Sequence, residues 1–175
     1  MATHDASQHP AMALDANERI DYLCAAASIA YADGQTDSSE LNVLREMCRL
    51  LDVGDGAERV LEAARQKPEA SHARFEQIKQ RGLGVPLVTD AVVIAFADGQ
   101  LAPGETKGIA AIVHLVGVTH AQAGLIGRYV EATVSGEDDG PLARELAEGL
   151  VREKVPVSSH HPVKWLYQKL RGKAG

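Results

Sequence analysis

IAYADGQ occupies residues 29–35, and IAFADGQ occupies residues 94–100. The two phrases differ only at Tyr31 and Phe96 and stand 65 residues apart. The likeness runs on at the same offset. Glu40 pairs with Glu105, Leu50 with Leu115 and Val53 with Val118, and Leu44, Met47 and Leu51 match Ile109, Ile112 and Val116 in apolar character. Apolar residues at i, i+3, i+4 and i+7 mark the buried stripe of a helix. Ile20, Leu23, Cys24, Ala27 and Tyr31 follow that spacing before the first phrase, and Val88, Ala91, Val92 and Ala95 before the second. Each Asp-Gly then closes a helix, with glycine where positive φ is needed. Asp37-Ser38-Ser39-Glu40 opens the next helix as a capping box, and Pro103 with Glu105 opens its counterpart.

Working outward, helices are expected over 17–33, from Asp37 to about Leu51, and over 57–67, 69–81, 85–98, 103–117, 119–134 and 141–154. Gly54, Pro68, Gly82-Leu83-Gly84 and the loop 135–140 separate them. The fold class is all-α: a pseudo-symmetric helical bundle of about seven to eight helices, built on two helix–turn–helix repeats. The expected divisions are a flexible arm at 1–15, a helical domain at 16–154 and a basic amphipathic tail at 155–175. A chain of 175 residues, 45% hydrophobic, buries a sufficient core without disulfides or metals.

Net charge is −6, and residues 154–175 hold five basic residues and no acid, leaving 13 basic against 24 acidic residues elsewhere. An acidic body argues against nucleic acid as a partner. Cys24 and Cys48 lie in apolar helical patterns without metal-site spacing and read as buried reduced thiols, which suits a cytoplasmic location. The first residues lack the basic and apolar regions of a secretory signal, and no apolar run is long enough to span a membrane.

The repeated phrase admits three readings. An EF-hand loop would place Asp33 and Gly34 at positions 5 and 6 and Glu40 at position 12, but Ile29 and Tyr31 fall where oxygen ligands are required. A true EF-hand is therefore not the expected reading. In the turn reading the acids serve the helix N-termini, with Asp33 and Asp98 in reach of free N–H groups. In the cation reading the two turns share one surface. Asp33, Asp37, Glu40, Asp98 and Glu105 then form an acidic patch for a weak divalent ion, Ca or Mg before Zn, or for a basic partner. No cofactor is required for folding.

The segments Ala32-Asp33-Gly34 with Glu40 and Ala97-Asp98-Gly99 with Glu105 resemble the TerB-like family, the tellurite-resistance TerB domain. The amino-terminal domain of a membrane-anchored DnaJ-like co-chaperone is similar to it. The resemblance implies an all-α fold with internal pseudo-symmetry, metal binding through the motif acids, and association with stress-response or membrane-linked complexes. It implies no enzyme chemistry. Ala102 departs from the family pattern, which has Ser, Thr or Asp there.

The tail carries a second candidate site. Val163, Leu166, Tyr167 and Leu170 form a helical stripe beside Lys164, Trp165, Lys169, Arg171 and Lys173. Such a stripe docks on the acidic body, on a protein partner or peripherally on a membrane. Lys164, Trp165, Leu166, Tyr167, Lys169, Leu170 and Arg171 are the partner-binding candidates. His160-His161 reads as a solvated pair, and His114 as a core or boundary residue. The expected function is a non-enzymatic cytoplasmic interaction or adaptor module, tuned by divalent cations at the two turns. A metal-binding stress-response protein is the alternative. An enzyme would need these acids and histidines to converge in one deep pocket, and the sequence gives no sign of that.

Overall fold

The computed structural model describes residues 9–30, 36–65, 72–136 and 140–155. All regular elements among them are helical. Eight α-helices follow in order: α1 Ala16–Ala30, α2 Ser38–Leu50, α3 Ala57–Ala63, α4 His72–Gln80, α5 Gly84–Ala95, α6 Pro103–Leu115, α7 His120–Val134 and α8 Pro141–Arg152. Short 3-10 turns at Pro10–Ala13 and Gly54–Gly56 precede α1 and α3. The all-α bundle read from the sequence is the observed fold.

The core is built on α1 and α5, which pack against each other. Every side chain from Tyr22 to Ser28 is buried, and so is every one from Leu87 to Phe96. A helix enclosed on all sides is apolar all round rather than striped. Alanines 25, 26 and 27 let the neighbours of α1 approach closely, as the low aromatic content suggests. Around this pair stand α2, α3, α4, α6 and α7, and α8 covers α7 with Ala143, Leu146 and Leu150 facing inward. Gly84 marks a close approach between α5 and the end of α6. A methyl group there would lie 2.3 Å from the carbonyl oxygen of Val116.

The repeat is carried into three dimensions. α2 and α6 each have 13 residues, and their bounds keep the offset of the sequence repeat. Their C-termini close alike: Val53 N–H donates to Cys48 O at 3.1 Å, and Val118 N–H to Val113 O at 3.1 Å. Asp52 and Gly117, at φ 48° and 73°, make these turns, which is the Schellman arrangement. In the second phrase Gly99 has φ 88°, and its N–H donates to Phe96 O.

Two expectations need correction. Residues 9–15 are not part of a flexible arm. Ala11 is fully buried, and His9 and Leu14 flank a 3-10 turn packed on α1. Leu14 and Met12 also rest on the core. The reason is tertiary: His9 has a buried partner on α5, described below. His114 is exposed instead of buried, and its ring meets that of exposed His120 edge-on at 4.7 Å. The neighbouring Ile112 and Val113 take the inward positions of α6. Val155 is buried, so the domain reaches that residue. The tail candidates Lys164, Trp165, Leu166, Tyr167, Lys169, Leu170 and Arg171, and the pair His160-His161, lie outside the described residues.

Candidate functional site

The N-termini of α2 and α6 supply the site. At α2 the capping box is complete. Glu40 N–H donates to Asp37 Oδ1 at 2.8 Å, and Asp37 N–H donates to Glu40 Oε2 at 2.7 Å. Thr36, just before the cap, donates its hydroxyl to Ala64 O at 2.7 Å and ties this turn to the end of α3. At α6 only half of the box exists, because Ala102 has no side-chain acceptor. Glu105 Oε2 still accepts from Ala102 N–H at 2.6 Å, and Pro103 stands at the first helical position. A proline there removes one donor that would lack a partner anyway.

These two glutamates are not on the surface. Glu40 is 5% exposed and Glu105 6%. The expected acidic patch is thereby reduced to its rim: of its described members, only Asp37 and Asp98 are exposed. Asp98 does not reach the free N–H groups of α6. Its Oδ1 accepts from Gln100 N–H at 2.8 Å, within its own turn. Asp33 lies outside the described residues.

The two repeats meet at the buried pair. The Glu105 carboxyl is one of the groups that bear on the Glu40 carboxyl. Glu40 Oε1 is buried and, among the described residues, meets no N–H or O–H donor. Burial is the largest influence on the Glu40 carboxyl and raises its pKa. The Asp37 backbone N–H opposes this, and the bond to Glu105 with the charges of Glu105 and Asp37 raises it further, to about 8. An isolated buried carboxylate is costly unless a positive partner meets it. Two carboxyls side by side are eased by a proton between them or by a cation.

A second polar cluster, unforeseen in the sequence, joins α1 and α5. Asp90 of α5 is 3% exposed. Its Oδ2 accepts from Tyr22 OH at 2.5 Å and from His9 Nε2 at 2.9 Å. His9 Nδ1 accepts from Ala11 N–H at 3.1 Å, which assigns the ring proton to Nε2. Burial lowers the pKa of His9, but the charge and hydrogen bond of Asp90 outweigh it, so the net direction is up. The Tyr22 hydroxyl is pushed well above its ordinary range by burial and then by Asp90. These residues stand 68 and 81 positions from Asp90, and no local spacing joins them. Their geometry fastens the first turn to the core.

Cys24 and Cys48 are both free and buried, and burial pushes both thiols up. That makes them poor thiolate ligands. A surface cleft lined by Asp21, Tyr22, Arg74 and Gln77, among others, contains neither motif glutamate. Arg74 there is paired with Asp21, and Arg81 with Glu18.

A family model described as Tellurite resistance protein TerB matches residues 3–66. Over that stretch this chain is TerB-like. The match spans less than half of it, from the segment carrying His9 through the end of α3. It therefore includes Asp37 and Glu40, while Asp98 and Glu105 enter through the internal repeat. No curated protein matches the chain, and no solved structure does. Among the described residues, no helix is long and apolar enough to cross a membrane. No group of three or more His, Cys, Asp or Glu side chains gathers there in a form that could hold a metal ion.

Proposed function

We propose that this TerB-like chain is a non-enzymatic cytoplasmic interaction module. Its state is set by a divalent cation at the seam between the two motif turns. The observation that carries the reading is the donorless, buried Oε1 of Glu40 beside the carboxyl of Glu105. A hard cation takes carboxylate oxygens, and Mg²⁺ needs only one or two of them because it retains several waters. Glu40 and Glu105 would hold the ion, with Asp33, Asp37 and Asp98 as the further acids of the motif. The ion would supply positive charge to the buried Glu40 Oε1, which meets no donor among the described residues. It would also link α2 of the first repeat to α6 of the second.

Partner contact falls to the exposed rim acids and to the basic tail around Trp165. The family's description is the ground for a stress-response setting. The non-enzymatic assignment draws support from the same geometry, since the motif acids serve helix ends and each other.

Thermal melts in chelator and then in Mg²⁺, Ca²⁺, Mn²⁺ or Zn²⁺ test this reading. An ion at a hundredfold excess over its dissociation constant adds about 2.7 kcal/mol if it binds only the folded state. Mg²⁺ or Ca²⁺ is expected to raise the melting temperature of the wild type and to leave Glu40→Gln and Glu105→Gln unmoved. Absence of a shift with every ion would sink the cation reading.

A further inference from the structure

We propose that residues 9–14 form a pH-operated strap over α1 and α5, in which one proton taken up at His9 Nδ1 exchanges the cap of the 3-10 turn for an ion pair with Asp90.

The two ring nitrogens of His9 do two different jobs. Nε2 donates to Asp90 Oδ2 at 2.9 Å, and Nδ1 accepts from Ala11 N–H at 3.1 Å. Only the neutral ring can do both, because an imidazolium carries a proton on each nitrogen. Pro10 has no N–H, so Ala11 supplies the first donor of the turn Pro10–Ala13, and His9 is its N-cap. Ala11 is fully buried, so water is a poor substitute acceptor. A proton at Nδ1 sets two donors face to face, and Ala11 N–H must part from the ring. On the other side of the ring the same proton makes the hydrogen bond to Asp90 an ion pair as well. Acid therefore keeps the tip of the strap pinned to α5 and undoes its middle.

The charged surroundings favour that proton. From α5 the ring faces the buried Asp90. From α1 it faces Tyr22, whose hydroxyl donates to the same Asp90 oxygen and whose ring meets it edge-on at 5.9 Å. Arg19 of α1 is directed to Met12 Sδ. Asp15 and Glu18 accept from each other's backbone N–H groups at the start of α1, and Glu18 also pairs with Arg81 beyond α4. Burial works against a charged ring, and the charge of Asp90 with its hydrogen bond outweighs it, so the His9 pKa rises from the ordinary 6.5.

The Asp15–Glu18 box caps α1 on its own, so the change stops there. Leu14 lies inside the strap. Its N–H donates to Ala11 O at 3.1 Å, and its side chain lines the surface cleft together with Tyr22 and Arg74. The switch thus reshapes one wall of that cleft.

Heteronuclear NMR of the full chain across neutral pH reads both halves of the exchange. In the alkaline limit the His9 nitrogens should show the Nε2–H tautomer, and the ring should titrate with a midpoint above 6.5. Through that transition, acidification should lower the exchange protection of the Ala11 amide by about tenfold or more, as for a buried donor that loses its acceptor. The Arg19 amide, bonded to Asp15 O, should keep its protection. His9→Asn offers an acceptor near the Nδ1 position and is too short for Asp90. His9→Gln offers a donor near the Nε2 position and leaves Ala11 without an acceptor. Neither side chain titrates, so Ala11 protection should show no step in either variant, and a persistent step would overturn His9 as the switch. A proton on Nδ1 at alkaline pH, or a His9 transition that leaves Ala11 protection unchanged, would overturn the exchange of cap for ion pair. A midpoint at or below 6.5 would overturn the role of Asp90 in drawing the proton.

Discussion

Asp90→Ala is expected to lower stability by about 3–5 kcal/mol, the range for removing one partner of a buried charged pair. The physical reason is what remains behind. The Tyr22 hydroxyl is fully enclosed and loses the Asp90 oxygen that accepts from it, and the His9 ring loses the oxygen that receives its Nε2 proton. Each buried donor left without an acceptor costs about 1–3 kcal/mol, and the small cavity adds to that. In a chain of this length the melting temperature should drop on the order of 10 °C. Asp90→Asn retains an acceptor oxygen and should cost less than half as much. Urea unfolding with tyrosine or tryptophan fluorescence supplies the measurement. A loss below about 1 kcal/mol for Asp90→Ala would mean that the cluster does not fasten residues 9–15 to α5.

The second large effect is a dependence on pH with a definite sign. The Glu40 carboxyl titrates at about 8 in the fold against 4.5 for the ordinary group. A raised pKa means that the folded state holds the proton more tightly than the unfolded chain. The stabilising contribution is therefore complete below about pH 4.5 and is lost as pH rises through 8. At about 1.4 kcal/mol per unit, with relaxation and water entry softening the full value, wild-type stability should fall by about 3 kcal/mol between pH 5.5 and 8.5. His9, whose pKa is also raised, acts in the same direction. Comparison with Glu40→Gln separates the two. The amide stays neutral, keeps an acceptor for Asp37 N–H and offers a donor to Glu105. Glu40→Gln should flatten most of the slope and exceed the wild type in stability at pH 8.5. A variant with an unchanged slope would show that Glu40 is ionised in the fold at neutral pH.

Much of this architecture was legible in the sequence because its signals are local. The Asp37–Glu40 box and Pro103 at the start of α6 each act within one helical turn. The repeat of apolar phase at offset 65 carried the pseudo-symmetry. The inward turn of Glu40 and Glu105 was not legible. A glutamate at the third position of a helix can cap its own end whether or not it is buried, and only the packing of one repeat on the other closes over both. The Asp90 cluster was invisible for a related reason. His9 sits in a stretch without periodicity, Tyr22 reads as one more apolar position, and Asp90 looks like a polar break in an otherwise apolar α5. Nothing before folding relates the three. His114 was misread because it neighbours the apolar residues of α6 in sequence, while its own angle around the helix points outward.

The central claim is that the two repeats are joined through their motif glutamates. A double-mutant cycle tests it most directly: wild type, Glu40→Gln, Glu105→Gln and the double variant, unfolded in urea at pH 7.5 in chelator. Carboxyls that touch should give a coupling energy of about 1 kcal/mol or more, because the first substitution relieves the repulsion and the second has little left to relieve. Effects that add to within about 0.3–0.5 kcal/mol would place the two groups apart and contradict the account.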